Sequence, residues 1–196
     1  REAKKLQRKG EKVYIIPEGG SNELGLMGYV EAMREVKAQE KELKKSFDYL
    51  VTAVGSGGTL AGMALGKKIF GLRGEILGVN VCNDADFFTK KALDLVSKAC
   101  KRFKISRMNI TEEDFRILDG YVGPGYSIPT DDNIELIKQA ARTEGIILDP
   151  VYTSKAFYGM LIEIEKGTLK KNANILFIHT GGIFGLLAQR EHFDFL

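Results

Sequence analysis

The sequence predicts an α/β fold, a mostly parallel twisted sheet with helices on both faces. Three observations predict it. Short apolar segments alternate with amphipathic ones along the 196 residues, the pattern of parallel strands joined by crossover helices. Residues 49–63 pass from an apolar strand through a glycine-rich turn directly into a helix. Glycine-rich turns also follow the apolar runs that end at Ile16 and Ile178. In open parallel sheets ligands sit beyond the carboxyl ends of the strands. Residues 17–22, 55–59 and 179–182 are therefore expected to share one site.

The elements follow in chain order. Residues 1–10 read as the charged end of a helix closed by Gly10, leading into a strand over residues 12–16. The turn Pro17-Glu18-Gly19-Gly20-Ser21-Asn22 precedes a helix with Leu26, Met27, Val30, Met33 and Val36 on one face. The polar residues 37–46 are either the end of that helix or a surface loop. A strand at Tyr49–Val54 and a helix over residues 60–70 flank the glycine-rich turn, and a strand follows at residues 75–81. The next helix aligns Phe88, Ala92, Leu95, Val96 and Ala99. After Thr111 the pattern is less regular, with a short strand near residues 115–118. Gly120 to Pro129 form a second glycine-rich loop. Thr130-Asp131-Asp132 is a helix start, with acids in the first turn and Ile134, Ile137 and Ala141 on the apolar face. Residues 145–150 read as a short buried extended run. A helix from about Tyr152 carries Phe157, Leu161 and Ile164, and a last strand at residues 174–178 enters His179-Thr180-Gly181-Gly182.

Composition limits the function. The net charge of +3 is mild, and the lysine-rich stretches are broken by acids or apolar residues. They read as solvated helix faces and predict no nucleic-acid partner. The sequence holds no apolar run of membrane-spanning length and no signal peptide pattern. Cys82 and Cys100 are the only two cysteines, without metal-ligand spacing. They are expected as buried or free thiols in a reducing compartment, which makes cytoplasm the expected location. Two histidines and two cysteines make no usual zinc site, so no metal is expected. The sequence opens partway through an α/β unit and has no initiator Met. It is expected to be one α/β cofactor-domain fragment over residues 1–196.

The run Gly55-Ser56-Gly57-Gly58-Thr59 has the chemistry of an anion cradle. A helix start offers unpaired backbone N–H groups and a positive dipole end. Glycines let the backbone approach an anion closely, and Ser56 and Thr59 add hydroxyl donors. Leu60 stands where a dinucleotide fingerprint needs its third glycine, and Gly66-Lys67-Lys68 lacks the hydroxyl residue of a nucleotide-phosphate loop. With no lysine in the loop, a single phosphate monoester suits it better than a polyphosphate. Pyridoxal phosphate carries such a group. The alternative is a tight turn with no ligand.

Five motifs then carry a resemblance. Pro17-Glu18-Gly19-Gly20-Ser21-Asn22-Glu23-Leu24-Gly25 resembles the Gly-Gly-Ser-Asn-x-Leu-Gly segment of the D-cysteine desulfhydrase and 1-aminocyclopropane-1-carboxylate deaminase family. Gly55 to Thr59 resembles its phosphate loop. Gly125-Tyr126-Ser127-Ile128-Pro129, Thr143 to Tyr152 and His179-Thr180-Gly181-Gly182 complete the set in the family's order. The resemblance implies a pyridoxal-phosphate enzyme of the tryptophan-synthase-β fold type and, in the whole enzyme, a homodimer. It implies that Gly55, Ser56, Gly57, Gly58, Thr59 and Thr180 bind the cofactor. It also implies that Tyr126 and Tyr152 are catalytic and that Thr153 and Thr180 set substrate specificity. Asn22 either bonds backbone in its own turn or faces the cofactor, and His179 reads as a structural group.

The deaminases resemble Val-Tyr-Glu-Gly-Lys and His-Leu-Gly-Gly, whereas the desulfhydrases carry a small hydroxyl residue in place of the Glu and the Leu. This sequence reads Val151-Tyr152-Thr153-Ser154-Lys155 and His179-Thr180-Gly181-Gly182. The resemblance therefore implies a D-cysteine desulfhydrase, with a small D-amino acid as substrate. The close rival is a deaminase acting on a cyclic amino acid, and a rival of another class is a non-catalytic phosphate-binding module. The family's cofactor-bonding lysine lies near a Gly-Asn-Lys motif. That motif does not occur here, and Lys155 is not its equivalent. The lysine-bearing N-terminal segment is expected to be absent, and this chain alone is expected to be inactive.

Overall fold

The computed structural model describes residues 1–105 and 108–193. Its sheet has four parallel strands in the order β3-β2-β1-β4, with β1 at Tyr49–Val54, β2 at Glu75–Asn80, β3 at Arg116–Leu118 and β4 at Ile175–Ile178. Seven α-helices accompany it among the described residues: α1 Glu2–Arg8, α2 Met27–Leu43, α3 Gly58–Phe70, α4 Ala85–Arg102, α5 Asp131–Glu144, α6 Thr153–Glu165 and α7 Ile183–Ala188.

The central strand shows why both faces are covered. Every residue of β1 is buried. Successive side chains of a strand point to opposite faces. Leu50 and Val54 join a core with Val30 and Met33 of α2, Leu60 and Met63 of α3, and Phe88 and Leu95 of α4. Tyr49, Val51 and Ala53 join a second core with Ala156 and Met160 of α6. β2 divides in the same way, with Ile76 in the first core and Leu77 and Val79 in the second. A smaller apolar cluster, Ile137, Ala140, Leu148, Leu186 and Phe193, ties α5 to the chain around α7.

Several sequence expectations change. Residues 12–16 form no strand: they have no sheet partner among the described residues, and Tyr14, Ile15 and Ile16 stand exposed. Their apolar pattern is real, but a strand exists only where a neighbouring backbone accepts its hydrogen bonds. The polar stretch after Val36 is helix as far as Leu43, ended by Lys44 in the left-handed conformation. The expected buried run at 145–150 is buried only from Leu148 onward, with Ile146 and Ile147 on the surface. β2 stops at Asn80, whose side-chain oxygen accepts from the N–H groups of Cys82 and Asn83 and turns the chain. The α5 start stands as expected, with Thr130 and Asn133 forming a reciprocal cap.

Candidate active site

The glycine-rich turn after β1 is braced from behind. Gly57, the N-cap residue of α3, has φ +85°, a left-handed conformation that glycine adopts without strain, and offers no side-chain cap of its own. Ser21 Oγ lies 2.7 Å from Ser56 Oγ and accepts from the Gly58 N–H at 3.2 Å. A Cβ on Gly58 would stand 2.5 Å from that same Ser21 oxygen, so only glycine allows the two turns to meet. Asn22 Oδ1 accepts from the N–H groups of Leu24 and Gly25 at 3.0 and 2.7 Å, which gives Asn22 a role in shaping its own turn. The Cys82 thiol donates to Gly55 O at 3.3 Å, and burial pushes its pKa up, so it supports the loop as a neutral thiol.

The α6 end is organised by Asp149, which is almost wholly buried. Its carboxylate accepts from the N–H groups of Val151, Tyr152 and Thr153 at 2.8, 2.9 and 2.8 Å, and from the Thr153 hydroxyl at 2.7 Å. Thr153 Oγ1 in turn accepts from the Asp149 N–H at 2.8 Å. Thr153 is therefore fully engaged in the helix cap and does not line the cleft. This cap aims Tyr152 toward Gly55, where a Cβ would stand 2.9 Å from the tyrosine ring. Tyr152 is hydrogen-bonded to the phenol of Tyr126, and the two rings meet edge to face with centroids 5.9 Å apart. Burial, then the bond to Tyr126, pushes the Tyr152 phenol well above its ordinary pKa. It is a neutral O–H group at neutral pH.

Thr180 reaches the same place from β4. Behind it Gly182, at φ +110°, packs against Asp149, where a Cβ would stand 2.5 Å from Oδ1. His179 shapes the turn: its Nδ1 accepts from the Gly181 N–H at 3.1 Å, leaving Nε2 to donate to Ile147 O at 2.8 Å. The expected convergence is present. A cleft of about 270 Å³ is lined by Glu18 and Gly19 of the first turn, by Gly55, Ser56 and Thr59 of the second, by Thr180 and by Tyr152. Gly57 and Gly58 belong to the same turn but are not among the cleft's lining residues, and Tyr126 adjoins the cleft through its bond to Tyr152. Glu18 and Tyr29 line the cleft without having been singled out in the sequence. Glu18 lay in plain view inside a motif, whereas Tyr29 carries only the signal of a helix residue.

The residues fit a phosphate monoester. The cradle is a helix start whose N-cap residue is a glycine, with Gly55 and the hydroxyl residues Ser56 and Thr59 lining the cleft.

Comparison with known proteins supplies the class. The profile of the family described as "Pyridoxal-phosphate dependent enzyme" matches residues 1–181. A Thermotoga maritima protein named a putative 1-aminocyclopropane-1-carboxylate deaminase is 48% identical over 187 residues, covering 95% of this chain and 57% of its own length. The Arabidopsis thaliana bifunctional D-cysteine desulfhydrase/1-aminocyclopropane-1-carboxylate deaminase, mitochondrial, is 40% identical over 187 residues, covering 93% of this chain and 44% of its own. A crystal structure described as an ACC deaminase homologue superposes with a TM-score of 0.82 at 38% identity, over 94% of this chain and 54% of that one. The chain belongs to the pyridoxal-phosphate-dependent enzyme family, within the group of 1-aminocyclopropane-1-carboxylate deaminases and D-cysteine desulfhydrases. The family's cofactor is pyridoxal phosphate. The chain spans about half the length of the curated relatives it matches.

Proposed function

We propose that this chain carries the cofactor-phosphate side of the active site of a D-cysteine desulfhydrase-like enzyme. The whole protein would convert D-cysteine and one water to pyruvate, hydrogen sulfide and ammonia. The observation that carries the reading is the Thr180 hydroxyl at the mouth of the cleft, where the deaminase pattern has an apolar leucine. Pyridoxal phosphate, when bound, supplies an electron sink for the charge that develops at the substrate Cα. The first-turn N–H groups of α3 and the hydroxyls of Ser56 and Thr59 would hold its phosphate. Thr180 would face the pyridine nitrogen as a neutral partner, which leaves the ring a weaker sink than a carboxylate partner would. Such a sink suffices when Cα–H loss is followed by Cβ–S cleavage, because thiolate leaves readily with the electron pair. Tyr152, kept protonated and steadied by Tyr126, would hold a proton over the reacting face. A homodimer and a cytoplasmic location belong to the same proposal.

A second reading, 1-aminocyclopropane-1-carboxylate deaminase, is favoured by the name of the 48%-identical relative. The test uses the intact protein, comparing kcat/KM for D-cysteine with that for the cyclic amino acid. D-cysteine should be preferred, and Thr180→Leu should lower that preference by about tenfold. Preference for the cyclic substrate in the unsubstituted protein would sink the desulfhydrase reading.

A further inference from the structure

Lys155 is the one fully buried cation among the described residues. It lies in the first turn of α6, three residues beyond Tyr152. An isolated buried ammonium is costly unless its N–H groups are satisfied. Here Lys155 Nζ donates to two carbonyl oxygens, Val122 O at 2.6 Å and Gly125 O at 2.8 Å. Burial lowers its pKa, opposed by the nearby Asp149 carboxylate.

Both acceptors belong to the loop that presents Tyr126. Tyr121, at the start of that loop, packs in the second core and donates to Glu163 of α6, but from Val122 to Gly125 little besides Lys155 holds it. Gly123 and Pro124 are exposed, Gly120, Gly123 and Ser127 have positive φ, and among the described residues its only ladder contact is the isolated bridge between Gly125 and Ile128. Gln189 adds a bond to Ser127 O at 3.0 Å. Tyr126 itself is half exposed, so packing alone does not fix its ring. Asp149 therefore sets Tyr152 from one side of the helix start, and Lys155 sets the partner phenol from the other.

We infer that Lys155 is a positioning residue, whose buried ammonium clamps the residue 122–125 loop to α6 and so places the Tyr126 phenol on Tyr152. The clamp is a feature of the fold. It rests on the proposed function only for the use made of the phenol pair.

The test reads the phenol pair directly, in the intact protein labelled with ¹³C tyrosine, at neutral pH and without substrate. Tyr126→Phe and Tyr152→Phe assign the resonances. The inter-ring NOE between Tyr126 and Tyr152 should be present in the parent and lost in Lys155→Met. The Tyr152 Cζ resonance of Lys155→Met should move to the position it takes in Tyr126→Phe. Combining the two substitutions should move it no further. Lys155→Gln, which keeps an amide donor, should retain part of the NOE. A folded Lys155→Met with the NOE intact would overturn the inference, as would a further shift in the double variant. If neither Lys155 variant folds, the lysine serves the core and not the loop, which also overturns it. Loss of the NOE together with a preference for the cyclic substrate would leave the clamp standing and remove only the desulfhydrase reading.

Discussion

Thr153 and Thr180 show how two residues of one type, matched to one sequence motif set, acquire different roles. Thr153 is buried and spends its hydroxyl on both the N–H and the carboxylate of Asp149. Thr180 is exposed at the cleft. Thr153→Val keeps the shape and removes the hydroxyl, leaving a buried N–H and a buried carboxylate each short of a partner. It should cost about 1–3 kcal/mol in urea unfolding. Thr180→Val should leave stability within about 0.5 kcal/mol while changing turnover of the intact protein. Equal stability effects would mean that the cap is misassigned. Sequence motifs located both threonines. Only the fold separates the one that braces the helix from the one that faces a ligand, because a hydroxyl's partner is set by what surrounds it. Asp149 stood within the expected extended run of residues 145–150, and its capping of three N–H groups follows from the bend of the chain after Pro150.

Between elements, the pairing of α2 with α3 sets the cleft's third wall. Gly62 and Gly66 let the two helices close on each other: a Cβ on Gly62 would stand 2.6 Å from Tyr29 Cβ, and one on Gly66 2.7 Å from Met33 Cβ. Helix propensity alone favours alanine over glycine by about 1 kcal/mol. Forcing a methyl into this contact costs typically 1–3 kcal/mol, roughly, so packing should win. Gly62→Ala should therefore lower the unfolding midpoint and displace Tyr29 from the cleft, visible as a change in the Tyr29 ring resonances. A stabilised variant would show that propensity outweighs the contact. The apolar face of α2 was legible from periodicity, and β1 from its apolar run directly before the glycine-rich turn. The fit of glycine against Tyr29 was not, since nothing in a helix's own sequence names the neighbour it will meet.

At the scale of the molecule, stability resides in the two cores on either side of the sheet. Leu50, the second residue of the inner strand β1, is fully buried, whereas Ile16 is 75% exposed. Leu50→Ala should cost about 2–5 kcal/mol. Ile16→Ser should change the stability of this chain by no more than about 0.5 kcal/mol. Urea titrations of both variants check this, and a large loss from Ile16→Ser would mean that residues 12–16 are packed after all.

Alternating apolar segments and ordered glycine-rich motifs determined, by themselves, the α/β class, the central strand, the main helices and the cofactor family. These are matters of local pattern, written at fixed spacing along the chain. The tertiary structure alone decided that residues 12–16 lack a sheet partner among the described residues, that Asp149 claims Thr153, that Glu18 and Tyr29 enter the cleft and that Lys155 bonds the Tyr126 loop. Each of these depends on groups distant in sequence meeting at hydrogen-bond or van der Waals range, and local pattern does not specify which partners meet.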